Sequence, residues 1–112
     1  MEKIRKYGKI ILDILRNEAI ERPHSNVKDL IITDDTTHHY QLIRTGWENN
    51  QHFVYTIIFH FHIETDGKIW LLQNNTDIPI TDELLKRDVP ASDIVLGFHP
   101  PEYRQYTGFA AA

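Results

Sequence analysis

The run from His52 to Ile63, HFVYTIIFHFHI, constrains this chain more than any other stretch. Its odd positions are Phe53, Tyr55, Ile57, Phe59, Phe61 and Ile63, all apolar or aromatic. Its even positions mix His52, Thr56, His60 and His62 with Val54 and Ile58. A period of two belongs to a β-strand with one face on a core and one mixed face. The pattern therefore predicts one strand over 52–63 with its odd side chains turned inward. At ~3.4 Å per residue such a strand spans about 40 Å, so it must bend around a helix or reach into a partner.

Asp66-Gly67 follows this run and is a favoured two-residue hairpin turn when both positions take positive φ. That turn sets Thr65 opposite Lys68, Ile63 opposite Trp70 and Phe61 opposite Leu72. It places Ile63, Trp70, Phe61 and Leu72 together on the core face.

The remaining elements follow from local patterns. Residues 2–21 carry Ile4, Tyr7, Ile11, Leu15 and Ala19 at helical spacing, and Ile10, Leu12 and Ile14 widen the stripe. Pro23 ends that helix, because Arg22 before it is pushed out of helical geometry. Residues 27–34 and 38–47 read as two more strands, with the Asn residues of Glu48-Asn-Asn-Gln51 suited to the turn after them. Thr81 fits the N-cap of a short helix, with Ile80 and Leu85 as its hydrophobic staple. The apolar run 94–98 is a strand or a short helix, which periodicity does not decide at this length. The expectation is a single α+β domain over 1–112: an antiparallel sheet of four or five strands, a long N-terminal helix on one face and short C-terminal helices.

Composition narrows the chemistry. The chain has no cysteine, which removes disulfides, zinc ribbons and thiol nucleophiles. A net charge of −4 argues against a general nucleic-acid surface, although Lys3, Arg5, Lys6 and Lys9 cluster near the start. No run approaches a membrane span, and Asp13 and Arg16 interrupt the N-terminal apolar stretch, so neither an anchor nor a signal peptide is expected. A cytoplasmic location is the expectation. No phosphate-binding loop, nucleophile elbow or metalloprotease helix is present, and no cofactor is expected. His60 and His62 share a strand face and could hold a metal only with further ligands such as His52 or Glu64.

The C-terminal segment supplies the remaining candidates. His99, Tyr103, Arg104 and Tyr106 could line a pocket with Trp47, in which Arg104 would grip a carboxylate or phosphate. The alternative is a tail anchored by Phe98, Tyr106 and Phe109 on the core, with Arg104 paired to an internal acid. In the first case the protein would be a small-molecule binder or enzyme. In the second, these residues are a clamp or a partner contact.

Several ordered landmarks carry a resemblance. They are Tyr40-Gln41-Leu42, Gly46-Trp47, Asp66-Gly67-Lys68-Ile69-Trp70, Asp93-Ile94-Val95-Leu96, Phe98-His99, Arg104 and Thr107-Gly108-Phe109-Ala110. Together they resemble the XisI family, cyanobacterial controlling factors for excision of the fdxN element. Asn74-Asn-Thr-Asp77 departs from that pattern, where an acid-rich segment is expected. The resemblance implies a non-enzymatic accessory role through contacts with an XisH-like protein of endonuclease fold or a site-specific recombinase. It supplies no catalytic residues. The long strand, the wide helix stripe and the small core add the expectation of a homo-oligomer.

Overall fold

The computed structural model describes residues 2–112 as one helix packed on an open five-stranded sheet. The elements are α1 (Glu2–Glu18), β1 (Lys28–Asp34), β2 (His39–Glu48), β3 (His52–Ile63), β4 (Ile69–Asn74), α2 (Ile80–Lys86), β5 (Ile94–Leu96) and α3 (Pro101–Arg104). The strands lie in chain order. β1 to β4 form an antiparallel meander, and β5 joins β4 in parallel. The sheet is thus mixed rather than antiparallel throughout. α2 is the reason: the chain crosses over through it after β4 and re-enters the sheet in the direction it left.

α1 buries Tyr7, Ile11, Ile14 and Leu15 against the sheet, with Ile4, Ile10 and Leu12 at the margins of the same contact. The wide stripe is therefore taken up by the core. α1 stops at Glu18 rather than continuing to 21, because the Ile20 N–H donates to the Asp29 carboxylate at 2.8 Å instead of to a helical carbonyl. The other end of the helix is clamped to the 3₁₀ turn before β5, where Tyr7 Oη donates to Asp93 at 2.5 Å and Lys3 pairs with it at 3.1 Å. Burial, then the hydrogen bond to Asp93, pushes the Tyr7 hydroxyl up to about 12.

Two bulges set which side chains reach this core. Leu42 pairs with Phe59, but Ile43 pairs with Ile57, so Ile58 is an extra residue on β3. A bulge reverses the parity of the strand on either side of it. Phe59, Phe61 and Ile63 consequently pack under α1, whereas Phe53, Tyr55 and Ile57 do not. Phe53 is 50% exposed and Tyr55 65%. The expectation that all odd positions of 52–63 point inward fails here, because the continuous apolar triplet Ile57-Ile58-Phe59 hides the change of phase. On β4, His60 pairs with Gln73 and Phe61 with Leu71, which makes Leu72 the second extra residue.

The β3–β4 turn also departs from the sequence expectation. Only Gly67 takes positive φ, and Glu64 bonds both Gly67 and Lys68, so Thr65, Asp66 and Gly67 form a three-residue loop. A one-residue slip moves every side chain to the other face. Ile63 therefore faces Ile69 and Phe61 faces Leu71, while Trp70 lies opposite His62, away from α1. The Asn49 and Asn50 turn forms as expected, both with positive φ. α2 begins one residue before Thr81, at Ile80, with no side-chain cap. It buries Leu84 where the staple reading had Leu85, which is 40% exposed. Asn74 shapes the turn before it, accepting from the Thr76 N–H and hydroxyl and donating to the Ile78 carbonyl.

Asp29 is the most tightly held charge. Its side chain is 1% exposed and receives Arg44 Nε at 2.8 Å, Arg22 at 3.0 Å and the Ile20 N–H. Burial alone would raise this carboxyl, but the hydrogen bonds from Arg44, Ile20 and Arg22 override it and hold it at about 2. The group thus stabilises the fold above its ordinary value of 3.8, and that stability is lost as the pH falls through about 2. Asp29→Asn is expected to cost roughly 2 kcal/mol at neutral pH and to flatten the acid limb below pH 3.8. Urea unfolding of both proteins between pH 2 and 7 measures this; an unchanged acid limb would refute it.

Candidate functional site

Two surfaces concentrate the chemistry of this chain: the face of the sheet opposite α1, and the C-terminal tail. The open face is built by β2 residues of one parity and their partners. His39, Gln41, Ile43 and Trp47 of β2 lie beside His62, His60, Ile57 and Phe53 of β3. Ring contacts confirm the shared face: Trp47 meets Phe53 at 5.2 Å, and Phe53 stacks beside Tyr55 at 6.4 Å. Leu30 and Ile32 of β1 continue the surface and are 42% and 47% exposed.

The far end of this face is a histidine cluster. His39 Nδ1 and His60 Nε2 are 2.9 Å apart, the His39 ring stacks on His62 at 4.2 Å, and Gln41 reaches His60 at 3.2 Å. His62 is held in turn by the His38 carbonyl and Glu64. His52 lies at the opposite end of β3 and does not join them. Among the described residues no group of three or more His, Asp or Glu is arranged to hold a metal ion. The His39–His60 contact instead requires a neutral imidazole, since one of its two ring nitrogens must accept, whereas both His62 nitrogens face oxygen acceptors. Burial, followed by repulsion from His62, lowers His39, and burial with repulsion from His39 and His62 lowers His60.

The tail runs past the other edge of the sheet. Gly97 crosses β4 so closely that a Cβ there would lie 2.8 Å from Leu72 and 2.9 Å from Trp70. The Arg104 guanidinium sits 4.8 Å from the Trp70 ring and donates to the carbonyls of His99 at 3.1 Å and Gly97 at 3.4 Å. Its partners are therefore backbone oxygens and an aromatic face, neither an internal acid nor an open pocket. Ala110 closes the segment by donating to the Ile94 carbonyl and bridging Val95. Phe109 packs on the core, but Phe98 is 49% exposed and Tyr106 78%, so those two rings do not anchor the tail. Backbone bonds and Arg104 do that instead. His99 is half-buried against Phe98, at 4.7 Å, and Tyr103 is 58% exposed.

Trp47 does not meet these residues. It pairs with Phe53 at the tip of the β2–β3 hairpin, whereas β4 begins to pair with β3 only at Phe59, about 20 Å farther along. Trp47 borders a groove with His24, Asn26 and Asn49. The expected five-residue pocket is thus divided between two ends of the molecule. The residues missed by sequence reasoning are Leu30, Ile32, Phe53 and Tyr55 of the open face. For Phe53 and Tyr55 the break in alternation at Ile57-Ile58-Phe59 is the one available signal.

The sequence model of the XisI protein family matches residues 1–111. The chain belongs to the XisI family. A XisI-like protein from Anabaena variabilis ATCC 29413 is 38% identical, with a TM-score of 0.89 over 97% of this chain and 99% of that one. The fdxN element excision controlling factor XisI from the same organism is 34% identical, with a TM-score of 0.82 over 98% and 99%. No curated protein matches the chain. The open mixed sheet with one long helix is therefore the fold of these XisI relatives, and the second relative is described as a controlling factor. Among the described residues of this XisI member, no helix is long and apolar enough to cross a membrane.

The histidine cluster gives a pH prediction. The folded chain holds His39 and His60 below their ordinary value of 6.5, so the unfolded chain takes up protons first as the pH falls. Stability should be full above 6.5 and decline as the pH drops through the lowered folded values. His60→Gln should remove part of that decline. Urea midpoints measured from pH 8 to 5 test it, and a midpoint that stays level over this range would reject it.

Proposed function

We propose that this chain is a non-enzymatic controlling factor in the excision of a DNA element, acting in the cytoplasm through protein contacts. Its membership of the XisI family over nearly its whole length supports the role in excision. One observation favours contact over chemistry at the tail: Arg104, the group best able to grip a substrate, is spent on holding the tail's own carbonyls. The aromatic side chains that Arg104 leaves outside, Tyr103 and Tyr106, stand on a braced segment and are free to meet a partner. An ordered tail loses little conformational freedom on binding, which favours it as a docking element.

The partner we propose is an XisH-like protein, with a site-specific recombinase as the downstream machinery. Arg104 is a structural residue in this reading, and Tyr103 and Tyr106 are the contact. The double variant Tyr103→Ala, Tyr106→Ala should keep the thermal midpoint of the parent within about 2 °C, because exposed side chains contribute little to folding. It should also lower capture of the XisH-like protein from a host extract by tenfold or more and reduce excision of the element in the host. Arg104→Ala should instead lower the thermal midpoint by several degrees. Undiminished capture by the double variant would overturn the assignment of the tail.

A further inference from the structure

We propose that the open face of the sheet is the contact between two copies of this chain, related by a two-fold axis that crosses the strands over the Ile43–Ile57 pair. The inference goes beyond the tail contact and does not depend on it, since it concerns the purified protein alone.

The face is symmetric in a way that suits its own copy. Counting from Ile43, His39 lies four residues along β2 in one direction and Trp47 four in the other. On β3, His62 and Phe53 lie opposite those two residues, so the bulge at Ile58 keeps the two arms equal. One arm is imidazole and amide; the other is indole and phenyl. A two-fold axis across the strands stacks each strand on its equivalent in reverse. It lays His39 on the partner's Trp47, His62 on the partner's Phe53 and His60 near the partner's Tyr55. Offset stacking of imidazole on aromatic rings is a favourable contact. The axis brings Leu30 and the half-buried Ile57 against their own equivalents around Ile43, which is already buried in the single chain. On β1 the same reversal sets Lys28 over the partner's Ile32, so the aliphatic stem of each lysine covers an exposed isoleucine. The alternative axis, parallel to the strands over the same pair, would instead stack His39 on the partner's His62, imidazole on imidazole.

The area is consistent with a modest dimer. Three strands ~4.8 Å apart and about nine residues long make a patch roughly 14 by 30 Å. With side-chain relief, this is on the order of 600 Å² per copy, near the lower end of specific interfaces. Sheets packed face to face lie about 10 Å apart at a small angle, which the reversed stacking allows. Surface patches of this size on a single chain are often functional.

Sedimentation of the full chain between 1 and about 100 µM tests the contact. The expected result is a rise in average mass from 13.2 kDa toward twice that value, with a dissociation constant in the micromolar range. Tyr55→Glu, at a position 65% exposed, should keep the circular dichroism of the parent and raise the dissociation constant at least tenfold. The absence of native cysteine allows the axis to be mapped. Leu30→Cys, on the axis, should cross-link to a dimer with a short bismaleimide. Trp47→Cys, roughly 27 Å from its equivalent, should not. A parent chain that stays monomeric to 100 µM, a Tyr55→Glu variant that still dimerises, or cross-linking through Trp47→Cys in place of Leu30→Cys would each overturn the proposal.

Discussion

The bulge at Ile58 is the constraint on which the rest of this structure depends. β3 is twelve residues long and runs beneath one helix that cannot cover its whole length. Without a bulge, Phe53, Tyr55, Phe59 and Phe61 would all face α1, and the hairpin tip would project a hydrophobic strip past the end of the helix. The extra residue turns the strand over where the helix contact gives out. Phe59, Phe61 and Ile63 go to the core, and the aromatic rings of the first half go to the other side. One inserted residue therefore makes both the core and the open face.

The second shaping interaction is the pinning of the helix at its two ends. Asp29, reached by Arg44, Arg22 and the Ile20 N–H, fixes where α1 stops and ties it to β1 and β2. Asp93, reached by Tyr7 and Lys3, ties the start of the same helix to β5. Charges this enclosed are tolerable only because each oxygen has partners. They add less to stability than the apolar core does, but they choose the angle at which the helix lies on the sheet. The tail follows from the same frame: β5 is held beside β4, and Gly97 lets the chain fold back over Trp70 so that Arg104 can brace it.

Membership of the XisI family and this geometry point the same way. Arg104, the strongest anion-gripping candidate in the sequence, is engaged in holding the chain's own carbonyls. The exposed rings left over are Trp47, Phe53 and Tyr55 on the open face and Phe98, Tyr103 and Tyr106 on the tail. Flat aromatic surfaces suit macromolecular contacts, where Tyr, Trp and Phe contribute large area with few rotatable bonds. The two exposed groups lie toward opposite edges, the tail beside β5 and the open face on β1 to β3, so the two contacts proposed above do not compete for the same strands.

By itself, the sequence determined the element order, the strand positions, the helix stripe and the long-range landmarks of the family. These are local or ordered features: period two in 52–63, period 3.6 in the first helix, Pro23 and the Asn-Asn turn. Of the tail's proposed anchors it named Phe109 correctly, but Phe98 and Tyr106 are exposed and Arg104 meets carbonyls rather than an acid. Only the tertiary structure decided the faces. Whether Gly67 closes a two- or three-residue loop, and whether Ile58 is paired or bulged, changes no residue's propensity but moves every neighbouring side chain across the sheet. The direction of β5 and the ligands of Arg104 likewise depend on where distant backbone carbonyls come to lie, and no local pattern encodes that. Parity along a strand is a global choice, made by which register buries the most apolar surface under α1.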